Sequence, residues 1–191
     1  MPLQKTDRQT ILAACWRTFH HRGYKAASVQ ELATAAGLGK AGLLHHFGSK
    51  EGLMRGVIEY ATEYYTERIL LPLNEPTTGS PRERFRTFME RHLKLSRINS
   101  AGCFFANTTL ETGVAGTFGP ELLAYHRLWT EATLRFIGEN LPNTPSPPEL
   151  CEALFTNYQG SILLYKLYRD EAYLERMVTR NLDLLFPSYD A

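Results

Sequence analysis

Apolar residues recur along this chain at spacings of three and four, and the alternation of a half-buried strand is absent. That pattern predicts an all-α protein of about nine helices. The first runs from about Asp7 to His21, with Ile11, Cys15 and Phe19 on one stripe and Leu12 and Trp16 beside it. Gly23 ends it, being free to take positive φ. Ser28, followed three residues later by Glu31, has the pattern of a capping box and opens a short second helix through Leu32, Ala33 and Ala36, stopping at Gly37. A third short helix covers Lys40 to Phe47 and is broken by Gly48 and Ser49. Ser49 caps a fourth helix, which runs from Lys50 to about Leu71 and is closed by Pro72.

After the loop from Asn74 to Ser80, Pro81 is placed as the first residue of helix five, whose face holds Phe85, Phe88, His92 and Leu95. A short, glycine-flanked helix covers Cys103 to Thr112. Helix seven begins near Pro120 and carries Leu122, Tyr125, Trp129, Ala132, Thr133 and Phe136. Pro142, Pro145, Pro147 and Pro148 form a stiff connection. Helix eight holds Leu150, Leu154, Tyr158, Ser161 and Tyr165 on one side, extended by Phe155, Ile162 and Leu163. Helix nine spans about Asp170 to Phe186. The expected division is an N-terminal helical domain at 1–55, a connecting fourth helix at about 50–71, and a second helical domain over 56–191.

Composition changes this picture little: 43% hydrophobic and 21% charged residues are an ordinary globular balance. Charge changes it more. The net +1 divides into +5 over residues 1–55 and −4 over the remainder, a cue for a polyanionic partner at one end. Three scattered cysteines, Cys15, Cys103 and Cys151, make no disulfide scaffold and suggest a reducing compartment. With no apolar leader and no run of roughly 20 apolar residues, a cytoplasmic protein without a membrane span is expected. No acid–base pair, Ser-His-Asp arrangement or phosphate-binding glycine loop stands out, so an enzyme is not expected. No Cys/His cluster stands out either, so neither a metal nor a cofactor is expected.

Two short helices joined by Gly37-Leu38-Gly39 are the most informative feature. Gly37 suits a tight turn, Leu38 pins it, and the small residues Gly39, Ala41 and Gly42 let the third helix sit deep in a major groove. A plain three-helix packing unit is the alternative. The run SVQELATAAGLGKAGLLHHFGSKEGL, from Ser28 to Leu53, resembles the N-terminal domain of TetR-type transcriptional regulators. Gly23-Tyr24, Ala36-Gly37, Lys40, Leu43, His45, His46, Phe47 and Ser49-Lys50-Glu51 carry the resemblance, which covers about the first 55 residues closely and the rest loosely. It implies a helix-turn-helix whose third helix reads DNA, with Ser28, Gly39, Lys40, Ala41, Gly42, Leu44, His45, His46 and Lys50 at the interface. Gly39, Gly42 and Leu44 depart from the Ser/Thr and Tyr usual in the family, removing three hydroxyls able to contact phosphate or base edges. Lys50 opens a helix, where the dipole disfavours a cation, and a phosphate contact accounts for it. Lys40, Arg8 and Lys25 are further phosphate candidates, and Phe47 is read as core.

The resemblance implies that residues from about 75 onward bind a small ligand and dimerise through helices eight and nine, with Leu154, Ile162, Tyr173, Met177 and Leu184 as contacts. A homodimer also suits a pseudo-palindromic operator on double-stranded DNA. Phe88, His92, Phe105, Tyr125, Trp129, Tyr158 and Tyr165, with Cys103 and Asn107, suit a site for a small apolar or aromatic inducer; a packed core is the alternative. The segment from Gly102 to Glu111 resembles a motif of one subgroup, with Cys103, Asn107 and Glu111 on one helical face. A buried thiol acting as a small hydrophobe and a redox- or electrophile-sensing thiol are both open readings of Cys103. The reading as a whole is a ligand-released repressor. An electrophile sensor acting through Cys103 and a helical protein-binding adaptor are the alternatives.

Overall fold

The computed structural model describes residues 7–75, 79–97, 101–113 and 115–187. Pro76, Thr77 and Thr78 of the expected loop therefore lie outside the described residues. Among the described residues the protein is helical throughout: α1 (Arg8–Arg22), α2 (Val29–Ala35), α3 (Lys40–Phe47), α4 (Lys50–Tyr64), a π-helical turn (Tyr65–Ile69), α5 (Leu71–Asn74), α6 (Pro81–Arg97), α7 (Phe104–Thr112), α8 (Gly119–Asn140), α9 (Pro147–Tyr168) and α10 (Ala172–Leu185). No helix among them is long and apolar enough to cross a membrane.

The chain forms two compact units, residues 1–64 with 104–125 and residues 65–103 with 126–191. The single division expected near residue 55 is thus replaced by a discontinuous one, because α7 and the start of α8 pack with the N-terminal helices. In the first unit α1 lies against α2 and α4, burying Ile11, Cys15, Trp16, Phe19, Leu32, Leu43, Leu53, Val57 and Ile58. Gly56 lets the two helices close up: a Cβ there would stand 3.1 Å from Leu12 Cδ2. In the second unit α10 packs along α9 and α6 around Phe85, Phe88, Trp129, Phe136, Leu154, Tyr158 and Met177.

Helix four differs from its expected form. Its α-helical part stops at Tyr64, the backbone continues as a π turn, and Pro72 stands in the first turn of α5. Proline has no N–H to contribute, and in a helix's first turn none is needed, so Pro72 opens a helix rather than closing one. Pro147 and Pro148 behave likewise: they form the first turn of α9 instead of a connection before it.

Candidate functional site

Each element of the helix-turn-helix has a local cause. The Ser28 hydroxyl accepts from the Glu31 N–H at 3.1 Å, and the Glu31 carboxylate accepts from the Ser28 N–H at 2.8 Å, closing the capping box of α2. The Ser28 N–H and then the Ser28 hydroxyl, both at the carboxylate, lower the Glu31 carboxyl below its ordinary pKa. At the other end Gly37, at φ +68°, donates to the Thr34 carbonyl, and Leu38 N–H donates to the Ala33 carbonyl. This paired reversal terminates α2 and sets the exit angle toward α3. Leu38 is half-buried beneath it.

Only one residue of the eight in α3 is buried, Leu43 at 1% exposure. Lys40, Ala41, His45 and His46 are exposed, and Gly42 and Leu44 are half-buried. Among the described residues nothing stands within 4 Å of a Cβ placed on Gly39 or Gly42, so they leave the glycine edge of α3 open. Gly39 caps α3 without a side-chain hydrogen bond, and a helix this short depends on its packing for stability. The outward face therefore offers a close-approach edge, one lysine and two histidines. Phe47 is only half-buried, with the Arg8 guanidinium 4.8 Å above its ring. It is a partly exposed platform rather than core.

Lys50 is held in place by its own chain. Its Nζ sits 4.8 Å over the Tyr24 ring and donates to the Lys25 carbonyl at 3.3 Å. Ser49 Oγ accepts from Gly52 N–H at 2.9 Å, capping the same turn. The Tyr24 ring is in turn edge-on to Phe118 at 5.0 Å. Arg22 is paired with Glu31 at 3.3 Å, and Arg55 is bonded to Glu121, Glu51 and the Thr117 carbonyl. Part of the positive charge of residues 1–55 is therefore engaged in packing, while Lys25 and Lys40 are exposed.

Glu111 is the residue whose role the sequence does not reveal. Its carboxylate accepts the Tyr24 N–H at 2.7 Å and the Lys25 N–H at 2.6 Å, fastening α7 to the turn after α1. A Cβ at Gly23 would stand 2.9 Å from Glu111 Oε2, so the turn needs glycine for space as well as for its φ of +81°. Cys103, expected on one helical face with it, instead precedes α7 in the second unit. The thiol is 1% exposed and accepts from Gln159 Nε2 at 3.7 Å. Asn107 is half-buried in the first unit.

The expected ligand residues separate in the same way. Phe105 and Tyr125 belong to the first unit, stacked with ring centroids 3.5 Å apart. Phe88, His92, Trp129, Tyr158 and Tyr165 are all buried in the second. His92 lies among Phe88 at 4.6 Å, Tyr158 at 5.1 Å and Tyr65 at 5.7 Å. Burial lowers its pKa to about 4, with the Phe88 carbonyl opposing the shift. Trp129 meets Phe155 at 5.0 Å and Phe88 at 6.0 Å. Among the described residues, no hydrogen-bond partner reaches His92 Nε2, Trp129 Nε1 or the Tyr158 hydroxyl. The Tyr158 hydroxyl lies beside Ser96 and Cys103, and burial raises its pKa well above the usual phenol value.

Among the expected dimer contacts, Leu154, Ile162 and Met177 are at most 4% exposed and pack inside the protomer. They are corrected on that ground: a side chain already enclosed by its own chain has no surface to give a partner. Tyr173 is half-buried, stacked on Tyr168 at 5.5 Å, and Leu184 is 46% exposed. Outward apolar residues of α9 that sequence reasoning did not assign to the dimer are Leu163, Leu167 and Tyr168, at 64%, 66% and 60% exposure.

Residues 11–57 match the family described as "Bacterial regulatory proteins, tetR family". Over nearly the whole chain the protein is 24% identical to the HTH-type transcriptional repressor DhaR of Mycobacterium sp. (strain GP1), covering 95% of this chain and 93% of that one. It is 28% identical to the HTH-type transcriptional regulator BetI of Yersinia pestis (strain Pestoides F), over 52% of this chain and 50% of the relative. The fold is shared with a TetR transcriptional regulator from Legionella pneumophila, at TM-score 0.83 and 24% identity over 96% of this chain and 98% of that one. It is shared also with reduced E. coli NemR, at TM-score 0.79 and 19% identity over 93% and 96%.

Proposed function

We propose that this chain, whose residues 11–57 match the tetR family of bacterial regulatory proteins, is a homodimeric DNA-binding repressor released from its operator by a small apolar or aromatic molecule. The observation that carries the DNA-binding part is α3. One buried leucine anchors it, and its glycine edge and basic side chains face solvent. The full-length similarity to a protein named as a repressor supports the sign of regulation. Gly39, Lys40, Ala41, Gly42, Leu44, His45 and His46 meet the major groove, while Ser28 and Lys50 meet phosphates. Lys50 keeps N–H groups for a phosphate while one engages Lys25, because an ammonium has three. Its ring seat on Tyr24 pre-positions it and lowers the entropy lost on binding.

The regulatory role falls to the interior of the second unit, around His92, Trp129 and Tyr158. Chain continuity supplies a link: α4 begins at Lys50, and the residue after its last, Tyr65, has its ring against His92. As an α-helix of 15 residues, α4 is about 22 Å long. The π turn that follows is a form often found at functional positions. A ligand that displaces Tyr65 acts directly on the C-terminal end of α4.

Duplex titrations across a salt series test the DNA-binding reading. Lys50→Ala is expected to weaken binding to specific and scrambled duplexes alike and to lower the salt slope by close to one unit. Lost specificity with an unchanged slope would show that Lys50 makes no phosphate contact. Coupling between ligand and operator is reciprocal, so operator DNA weakens ligand affinity by the factor by which ligand weakens DNA binding, about 5–150-fold.

A further inference from the structure

We propose that the ligand of the second unit is an uncharged, single-ring aromatic molecule with one hydrogen-bond donor, met by His92 Nε2, and one carbonyl acceptor, met by Trp129 Nε1–H. This rests on the second unit being the inducer site and adds the chemistry of what enters it.

Five rings form a closed circuit there: His92 to Phe88 at 4.6 Å, Phe88 to Trp129 at 6.0 Å, Trp129 to Phe155 at 5.0 Å, Phe155 to Tyr158 at 6.5 Å, and Tyr158 back to His92 at 5.1 Å. Three members carry buried polar atoms with no hydrogen-bond partner among the described residues: His92 Nε2, Trp129 Nε1 and the Tyr158 hydroxyl. The hydroxyl has Ser96 and Cys103 beside it and rotates to suit a neighbour, so the two ring nitrogens set the demand on a guest. Their senses are opposite and fixed. The Phe88 carbonyl oxygen lies 3.2 Å from His92 Nδ1 and only accepts, so Nδ1 bears the hydrogen and Nε2 keeps its lone pair. The indole N–H only donates. Interiors seldom leave such groups unmatched, and each regains a partner if the ligand brings a donor and an acceptor.

The ring walls select a flat aromatic body. Charge is selected against from the protein side. His92 is held neutral by burial. The buried guanidinium of this unit, Arg84, already donates to the Pro72 and Leu73 carbonyls and lies 5.1 Å from the Phe136 ring centre. A carboxylate entering the circuit would leave water without a cation to receive it. Phe155 is the half-exposed member, while the other four are buried. Turning its side chain outward vacates the space of one ring beside Trp129, which sets the size of the guest.

Calorimetric titration of the full-length protein with five probes tests this: para-hydroxyacetophenone, acetophenone, para-ethylphenol, ethylbenzene and para-hydroxybenzoate. para-Hydroxyacetophenone is expected to bind tightest, with a loss of about tenfold in affinity for each polar group removed. para-Hydroxybenzoate is expected not to compete with it. Trp129→Phe is expected to erase the advantage of the carbonyl and keep that of the hydroxyl, and His92→Leu to do the reverse. Phe155→Ala is expected to speed association without altering the order of preference, and circular dichroism checks that each variant is folded. Equal affinity for ethylbenzene and para-hydroxyacetophenone overturns the assigned chemistry while leaving the interior as the ligand site. A preference unchanged in both Trp129→Phe and His92→Leu places the ligand elsewhere and overturns the underlying reading as well. If no probe binds wild type or Phe155→Ala, the assigned class is wrong, and ligand release of operator DNA has to be sought with other chemistry.

Discussion

Gly52 stands in the first turn of α4, where alanine ordinarily gains up to about 1 kcal/mol of helix stability over glycine. A Cβ at this position would meet the Phe47 carbonyl oxygen well inside van der Waals contact, and a backbone atom cannot swing aside. Steric cost therefore outweighs propensity, and Gly52→Ala is expected to destabilise the protein by about 1–3 kcal/mol. A thermal melt decides it: a raised midpoint would show that propensity wins. His92 supplies a second residue-level expectation, with Tyr65, Phe88 and Tyr158 as its ring neighbours. Its pKa is lowered from 6.5 to about 4 in the folded protein by burial. Between those values the unfolded chain binds the proton and the folded one does not, so stability rises with pH through this window. The contribution is fully present above about 6.5 and is lost at about 1.4 kcal/mol per unit as pH falls toward 4. Urea midpoints from pH 6.5 down to 4.5 are expected to show this slope and, in His92→Gln, to lose it. An identical slope in the variant would assign the effect to other groups.

α7 shows how an element can be legible and its role hidden. Spacing alone places it between Cys103 and Thr112, within a residue of its observed bounds, yet nothing local indicates that Glu111 receives two N–H groups 86 and 87 residues away. Glu111→Gln keeps the size and loses the charge, which weakens both bonds. It is expected to destabilise the first unit by about 1.5–3 kcal/mol, the range for hydrogen bonds to a charged group. Amide exchange is expected to rise first at Tyr24 and Lys25, and unchanged protection there would separate Glu111 from the stability of the turn. The first three helices were readable because their ends are encoded in neighbouring residues: Ser28 with Glu31, and glycines at 23, 37 and 48. The π turn after Tyr64 has no such code in its neighbouring residues. Arg169 closes α9 in the left-handed region at φ 57° without being glycine, so the end of that helix was not marked either. The exposed face of α3 followed from pattern. The dimer contacts did not, because an apolar stripe at helical spacing identifies what is buried within a chain, and Leu154 and Met177 were chosen by that signal.

At the scale of the whole molecule, the proposed dimer needs a face to receive a second copy. On α9, Thr156, Gly160, Leu163 and Leu167 are all exposed and fall at spacings of four, three and four, one stripe of a helix. Leu163 and Leu167 expose 64% and 66% of their surface, and nothing stands within 4 Å of a Cβ placed on Gly160. Small residues at one end admit a close helix, and leucines at the other give it apolar area to cover. Leu184 of α10 is also exposed, at 46%. A two-fold interface presents the same patch from both copies, so every substitution in it is felt twice. Leu163→Glu with Leu167→Glu places four carboxylates in such an interface and none in the protomer core. The double variant is therefore expected to keep its helical content and to run as a monomer in light scattering at micromolar concentration. A single α3 spans too few bases to hold an operator alone, and the half-sites of a dimer lie about 34 Å apart. Operator affinity is expected to fall by more than about tenfold, while weak salt-dependent binding to any duplex persists. A variant that remains dimeric and binds operator normally would remove α9 from the interface. Leu110, 85% exposed on α7, and Leu123, 43% exposed on α8, would then be the apolar surfaces to substitute next.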